Sequence, residues 1–467
     1  MVSLVCCFLE HFVPQNFIQR KPVFITPAEP FAERMTITMT QLCKIRPVTR
    51  ADPRFAGCAA VFCAYAREDL GTEWMEGDGG LRLEYEEGHG AEGYRIRISP
   101  DGAVLSAAAE KGMHNGLADL LSRMKREGEA LAAEACDRTE EPDCPWRGLM
   151  VDLARQWHPL PYVLSYVDLC WKNRASRLQL HFTDSQSFTL PMKAYPKLST
   201  AGRTYTPEEI GILTDYAAER GITLVPEVDV PGHTGPFFSA YPELFGNTGV
   251  LPASDEVFDA LRVIFGEVAE LFPGSPWIHI GGDEASIGAW ENCSRTQEWM
   301  KKNGVADIHE MYAEYIRVLT DMILSMGRTP VVWEGFGKAY NNRIDRRTLV
   351  IAWESYYQPA YDLAAAGFTL INCSWKPLYI VTPSTCWSPE EIAAHDPWRW
   401  DHWWEKSVAY PDGYRIDRSY PVLGSQLCAW GDRIAGWEDW EEGIRQEREL
   451  VAERLPALCN KLWHLDF

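Results

Sequence analysis

The chain has 467 residues, more than one compact core usually holds, and 46% of them are hydrophobic, ample for burial. Lysine and arginine total 45 against 66 aspartates and glutamates, and the net charge of -21 opposes phosphate backbones and anionic lipid surfaces, which argues against nucleic acid as a partner. The 13 cysteines are odd in number, scattered and without a CxxC pair, so they indicate neither a disulfide framework nor a zinc site and favour a reducing compartment.

The opening "MVSLVCCFLEHFVP" is apolar but has no basic stretch before it and meets Glu10 and His11 early, a poor signal peptide. Residues 1 to 35 are expected to be a disordered extension, and a cytoplasmic location follows from the missing signal. No run approaches the roughly 18 apolar residues of a membrane span, so no membrane association is expected. Residues 36 to 142 read as a small α/β accessory domain. Within it Tyr94, Ile96 and Ile98 alternate, Ser-Pro-Asp-Gly turns the chain, and a second alternation passes into a helix near residue 124. The acidic, proline-bearing "DRTEEPDCP", residues 137 to 145, breaks the periodicity and is expected to be a linker, with the boundary at 143.

Beyond it short apolar runs alternate with longer amphipathic stretches, the pattern of parallel strands joined by crossover helices. Eight candidate strands follow in order: Gly148 to Leu153, Arg177 to Phe182, Thr223 to Glu227, Trp277 to Gly281, Thr329 to Trp333, Leu349 to Trp353, Thr369 to Cys373 and Val422 to Leu427. Between them, "TPEEIGILTDYAAERG" carries a capping box in Thr206 and Glu209, with Pro207 in the first turn and Gly221 at the stop. Eight such units over residues 143 to 467 predict an α/β fold, a (β/α)8 TIM barrel preceded by the small domain. An open doubly wound sheet is the alternative, but neither GxGxxG nor GxxxxGK[ST] is present.

Barrel enzymes hold their chemistry at the carboxyl ends of the strands. Strand two ends in "HFTDSQ" with His181 and Asp184, strand three in "PEVDVPGH" with Glu227, Asp229 and His233, and strand four in "GGDE" with Asp283 and Glu284. The fifth, sixth and eighth ends place Trp333, Trp353, Trp430 and Asp432 at the same mouth. Flat aromatic faces with carboxylates describe a sugar site. Taken singly, each feature has a plainer reading: an acidic pair after Gly-Gly is often an anion on a helix's first turn, and tryptophans are more often core. His181 and His279 read as packed and hydrogen-bonded, and Asp152 with Arg155 as a structural ion pair below the site. The recurrence of unlike polar residues at the same strand ends is what core packing does not require.

From Trp146 onward the chain resembles glycoside hydrolase family 20, the β-N-acetylhexosaminidases. The motifs are "WRGLMVDLAR", "LQLHFTDSQ", "YPKLS", "GITLVPEVDVPGH", "HIGGDEA", the tryptophans after strands five and six, and "LGSQLCAWGD". The resemblance implies a retaining exo-hydrolase releasing terminal N-acetylglucosamine or N-acetylgalactosamine from a glycan or glycoconjugate. In that chemistry the substrate's own 2-acetamido oxygen attacks the anomeric carbon. It implies Glu284 as general acid and base, with a raised pKa, and Asp283 as the residue that orients the acetamido group. It further implies Arg147 on the 3- and 4-hydroxyls, Asp184 and His233 supporting Glu284, Trp333, Trp353 and Trp430 as pocket walls, and Tyr379 bonded to the acetamido oxygen. No metal or organic cofactor is implied. Departures are Val381, where a polar residue often reaches the sugar's 6-position, Asp432, where glutamate is usual, and Ser185 for a second aspartate. A specialist for lacto-N-biose or a 6-sulfated sugar, and a carbohydrate-binding barrel without activity, are the alternatives. Residues 387 to 406, rich in tryptophan, read either as a subsite lining or cover for the mouth or as a packing insert, and the oligomeric state is left open.

Overall fold

The computed structural model describes residues 41–128, 130–434 and 439–465, so the extension expected at residues 1 to 35 lies outside the described residues. Residues 41 to 142 form a six-stranded sheet in the spatial order Met75–Glu76, Val48–Ala51, Leu81–Tyr85, Gly102–Ala107, Tyr94–Ser99, Cys136–Glu140, with a separate three-stranded sheet made by Leu42–Ile45, Ala130–Glu134 and Lys125–Glu127. Two helices, Ala56–Leu70 and Glu110–Arg123, accompany them. The hairpin expected from the alternation at Tyr94 is present, Tyr94 pairing with Ala107 and Ser99 with Gly102. The expected linker is a correction: Cys136–Glu140 is an edge strand antiparallel to Tyr94–Ser99, pinned by Arg95 Nε to Asp137 at 2.8 Å. Its charged residues are tied into the fold, Arg138 to Asp119 and Glu140 to Trp463, but composition alone reads it as a loop.

The barrel strands are β1 (Trp146–Asp152), β2 (Arg177–His181), β3 (Thr223–Glu227), β4 (Trp277–His279), β5 (Thr329–Trp333), β6 (Leu349–Ala352), β7 (Thr369–Asn372) and β8 (Val422–Ala429). All neighbours are parallel, and β8 pairs back on β1, Trp146 against Gly424 through Val151 against Ala429, which closes the barrel. The main outer helices are α1 (Leu160–Lys172), α2 (Pro207–Ala218), α3 (Asp255–Leu271), α4 (Ile308–Ser325), α5 (Ala360–Ala365) and α6 (Trp440–Trp463). Between β5 and β6 the chain makes only a 3-10 turn, Lys338–Arg343, so that unit departs from the expected strand-helix repeat. Thr206 and Glu209 form the predicted box on α2, each side chain bonded to the other's backbone N–H.

The small domain and the barrel share a core. Trp171 at the end of α1 and Trp463 at the end of α6 are buried among Tyr65, Tyr94 and Leu117 of the small domain. Arg220 donates to Tyr65, and Trp171 Nε1 donates to His114 at 3.0 Å. From residue 41 on, the expected small domain and barrel pack together as one compact unit. The eleven described cysteines are free thiols. Among the described residues no helix is long and apolar enough to cross a membrane. Thr206→Ala removes one capping bond from α2 and should cost about 1 kcal/mol in urea denaturation with unchanged steepness of the transition.

Candidate active site

The "GGDE" turn is built by close approach. Gly281 and Gly282 have φ of 68° and 92°, and a Cβ on Gly281 would stand 1.7 Å from Asp229 Oδ1. Asp229 Oδ1 accepts the Gly282 N–H at 3.1 Å, and Tyr312 donates its hydroxyl to the Gly282 carbonyl. Glu284 (φ 45°) and His233 (φ 52°) are themselves in the left-handed region, which non-glycine residues enter only where surrounding contacts impose it. The pair lies in an irregular loop after β4, followed by a 3-10 turn at Ile287–Asn292, and not on the first turn of an α-helix. The reading of it as a mere helix-terminal anion fails on that ground.

Beneath the pair runs a chain of groups of alternating charge. Glu284 Oε2 is 3.3 Å from His233 Nε2, His233 Nδ1 is 3.2 Å from Asp184 Oδ2, and the same oxygen is 3.1 Å from His181 Nε2. His181 Nδ1 then meets Glu227 Oε2 at 2.9 Å. Glu227 also accepts from Gln179 at 2.8 Å and from Trp333 Nε1 at 2.7 Å. His233 thus contacts Glu284, and Asp184 contacts His233. His181 and Glu227, the first read as packing, extend the chain and tie the acidic end to a pocket wall. Burial works against the charge on both histidines, but the facing carboxylates win and hold each imidazole protonated, well above its usual range. Glu227 feels the same burial and is nonetheless pulled down to about 2 by His181 and His279 and by bonds from His181 and Gln179.

The expectation that Glu284 is the raised carboxyl needs correction. Enclosure favours its neutral form, but the hydrogen bond and charge of His233, with the charge of Arg155, outweigh it and set Glu284 below its ordinary value. The raised member is Asp283: burial, against the opposing charge of His233 and reinforced by Glu284 and Glu227, pushes it up to about 7. Two adjacent carboxyls cannot both ionise freely, so the pair carries one proton up to about neutrality. A third carboxyl, Glu354 just after β6, was not singled out from sequence. Burial and the charges of Glu284, Glu334 and Asp283 push it up to about 9, so it is neutral beside them.

Arg147 is the second correction. It lies near the start of β1, about 16 Å from the carboxyl end five residues on, and is fully buried. Its guanidinium donates to the Arg174 and Cys144 carbonyls and to Glu92 of the small domain, and it faces the Trp463 ring at 5.0 Å. It clamps the two parts of the chain and does not reach the mouth. Arg155 occupies the place assigned to it, because Asp152 is the last residue of β1 and Arg155 follows in the loop above. One guanidinium nitrogen meets Asp152 at 2.7 Å, the other meets Asp184 at 2.7 Å, and the group lies over the Trp430 ring at 4.9 Å. The ion pair expected below the site is therefore part of it. The strand-end rule applied to "VDLAR" points to Arg155.

Four rings complete the pocket. Trp353 stacks on Tyr379 at 6.1 Å and 10°, Trp333 meets Trp353 at 6.4 Å and Trp430 at 6.1 Å, and Tyr379 meets Trp430 at 6.1 Å. Trp353 Nε1 donates to the Glu334 carbonyl, while the Glu334 carboxylate takes the Trp353 and Tyr356 N–H groups and fixes the loop after β6. Asp283 Oδ1 and Trp430 Nε1 are buried without a hydrogen-bonding partner among the described residues. Val381 packs beside these rings. The side chain of Asp432 lies outside the described residues. Two trios, His181 with Glu227 and Asp229, and Asp229 with His233 and Asp283, bring ligand-type atoms within 4.8 Å of one another. Here those imidazoles are engaged by the carboxylates of the relay.

A closed parallel barrel with a carboxyl pair and an aromatic box at its carboxyl end defines a glycoside-processing site. The description "Glycosyl hydrolase family 20, catalytic domain" matches residues 144–464. A β-hexosaminidase of Akkermansia muciniphila is 32% identical over 403 residues, 79% of this chain and 78% of that protein. One of Vibrio furnissii is 29% identical over 493 residues, covering 91% of this chain and 79% of the relative. Among solved structures, an exo-β-N-acetylglucosaminidase of Vibrio harveyi superposes with a TM-score of 0.76 at 20% identity, over 98% of this chain and 80% of that one. The β-N-acetylhexosaminidase of Bacteroides fragilis gives 0.73 at 21%, over 91% and 88%. The chain belongs to glycosyl hydrolase family 20. It is a glycoside hydrolase, and the resemblance read from its motifs holds.

The two arginines separate by experiment. Arg155→Ala should lower kcat/KM at least about 100-fold through lost positioning. Arg147→Ala leaves Glu92 with Lys111 alone as its close partner and the Arg174 and Cys144 carbonyls without their donor, and should cost about 1 to 3 kcal/mol in urea denaturation, with kcat of the folded protein little changed. Glu227→Gln should reduce kcat about 10- to 100-fold, as couplings of 1 to 3 kcal/mol within one bonded network imply, with a smaller effect on KM. Steady-state kinetics on a cleavable glycoside checks the last.

Proposed function

We propose that the chain is a retaining exo-β-N-acetylhexosaminidase that removes a terminal N-acetylglucosamine or N-acetylgalactosamine from a glycan or glycoconjugate by substrate-assisted catalysis. The observation that carries this reading is Asp283 Oδ1: a carboxyl oxygen buried beside an aromatic box with no hydrogen-bonding partner among the described residues. An unpaired buried acceptor is costly, and a ligand N–H removes the cost. The 2-acetamido group supplies that N–H, and its methyl fits between Trp333, Trp353 and Trp430, with Tyr379 toward its carbonyl oxygen. The names of the relatives, β-hexosaminidases, agree with such a substrate.

In the first step Glu284 gives its proton to the glycosidic oxygen while the acetamido oxygen attacks the anomeric carbon. The bond to the leaving group breaks, an alcohol departs, and an oxazolinium ion remains. Asp283, ionised, holds the ring N–H and balances its charge. In the second step the Glu284 carboxylate takes a proton from water as that water attacks the anomeric carbon. Two inversions give net retention. Arg155 holds hydroxyls of the terminal sugar, and its fork suits two at once. Asp432 follows Trp430 in sequence and is assigned to the 4-hydroxyl by the family resemblance. His233, kept charged by Asp184, anchors Glu284.

The reaction needs the shared proton on Glu284, whereas the free pair keeps it to about pH 7 through the raised Asp283. The acetamido N–H stabilises ionised Asp283, and the ether oxygen of the leaving group favours protonated Glu284, so substrate moves the proton to its working place. Activity should fall as pH rises through about 7, where the pair loses that proton. In Asp283→Asn the raised group is gone and the remaining acid titrates below its ordinary value, so the alkaline limb of kcat/KM should move to lower pH. A limb left near 7 contradicts the assignment.

The direct test uses aryl β-glycosides of N-acetylglucosamine and of glucose with the wild type and Glu284→Gln. The acetamido sugar alone should be cleaved, and the variant should lose at least about 100-fold in kcat. Equal cleavage of both sugars contradicts substrate assistance.

A further inference from the structure

The inward stripe of α6 contains a carboxylate. Ile444, Val451, Leu455, Leu458 and Leu462 recur at helical spacing and are fully buried, and between the first two stands Glu447, fully buried as well. Packing does not require it there: a buried carboxylate must be compensated by partners, and an apolar group of similar volume is often no less stable. The charged line beneath Glu284 does not include it either. Its partners come from other elements. Tyr166 of α1 donates its hydroxyl to Glu447 Oε1 at 2.7 Å, and His158, in the loop between β1 and α1, brings Nε2 to the same oxygen at 3.2 Å. Both partners are fully buried.

The bonds lead to the sugar pocket along two routes. His158 Nδ1 stands 2.9 Å from the Gln156 carbonyl. A carbonyl oxygen only accepts, so Nδ1 carries a hydrogen, and the contact of Nε2 with Oε1 requires a second proton between ring and carboxylate. This route ends on the backbone of the residue after Arg155. Tyr205 fixes the same loop further by donating to the His158 carbonyl, and Gln156 Nε2 donates to the Trp440 carbonyl at the start of α6. The second route runs through Glu447 Oε2, which is buried without a hydrogen-bonding partner among the described residues. A Cβ on Gly431 would stand 1.6 Å from that oxygen and 3.1 Å from Gln156 Oε1, so the carboxylate lies directly against the loop after β8. Gly431 follows Trp430, and the Arg155 guanidinium lies over the Trp430 ring at 4.9 Å.

We propose that Glu447 is a positioning residue for the hydrolysis, which fixes the stack of Arg155 on Trp430 through His158 and the Gln156 carbonyl on one side and through Gly431 on the other. The inference rests on the hexosaminidase reading, which puts the terminal sugar on Arg155 and Trp430, and adds a residue that acts through them. A long side chain such as arginine has many rotamers and must be held at both ends to meet a ligand in one geometry. Asp152 and Asp184 hold the guanidinium of Arg155. Glu447 and His158 hold the main chain from which it springs.

The experiment is a double-mutant cycle on kcat/KM for an aryl β-N-acetylglucosaminide. The proteins are the wild type, Glu447→Ala, Arg155→Ala and the double variant, each assayed well below its unfolding midpoint. Glu447→Gln, which keeps the volume and removes the carboxylate, runs through the same cycle and carries the test if the alanine variant does not fold. With Arg155 present, Glu447→Ala should lower kcat/KM about tenfold and Glu447→Gln about fivefold. In the Arg155→Ala background each should cost less than about twofold, since the group they position is gone. A merely structural carboxylate would cost the same factor in both backgrounds. That result, or a loss below about twofold with Arg155 present, overturns the role of Glu447 while leaving the hexosaminidase reading intact. A wild type that does not cleave the acetamido glycoside sinks that reading, and the positioning role falls with it.

Discussion

The site depends on one line of charge, Glu227, His181, Asp184, His233, Glu284, alternating minus and plus, buried in the barrel interior and emerging at the half-exposed Glu284. Charges leave water only where partners compensate them, and each inner member here has two or more. Asp184 is the crossing point, since it takes both imidazoles and Arg155. Burial opposes its charge, yet His233 and Arg155 hold it well below its usual range. Glu227 is the other fixed point, because Trp333 Nε1 and His181 share its two oxygens. Glu284 and Trp333 are thereby referred to the same carboxylate, the first through the ion-paired line and the second through one hydrogen bond.

This constraint explains an unusual barrel interior. Such cores are commonly filled by layers of branched apolar side chains. Here Gln426 donates to Gln179, Gln179 donates to Glu227, and Trp146 donates to Gln426, a bonded path across the strands below the site. Apolar side chains such as Met150, Val225, Val331, Ile351 and Ile371 fill the rest of the interior, while Leu149, Val151, Leu178 and Leu180 belong to the separate core outside the strands. The small domain closes the opposite end, with Glu92 taking Arg147 and Lys111. The molecule thus has a rigid floor, an ion-paired stem and an aromatic rim.

Much of this was legible in the sequence because strand ends are marked twice, by the stop of an apolar run and by a polar residue just after it. The eight strands, Asp283, Glu284, Asp184, His233 and the pocket rings follow from that rule and from the family motifs. Arg147 was misplaced because two arginines flank β1 within nine residues, and a motif does not say which end of a strand faces the mouth. Cys136–Glu140 was hidden because a charged edge strand has the composition of a loop. The inversion of the carboxyl pair, with Asp283 raised and Glu284 lowered, depends on where a distant histidine is folded, and no local pattern contains it. Glu354 was passed over because the tryptophan before it drew the reading.

The central claim is that Asp283 and the aromatic box accept an acetamido group that has closed on the anomeric carbon. Calorimetric titration with a bicyclic thiazoline of N-acetylglucosamine, a neutral mimic of the oxazolinium, tests it most directly. The account predicts binding at least about 100-fold tighter than N-acetylglucosamine itself, as mimics of a transition state or high-energy intermediate bind, and loss of that advantage in Asp283→Asn. Equal affinity for the two ligands, or an advantage that survives Asp283→Asn, would contradict it.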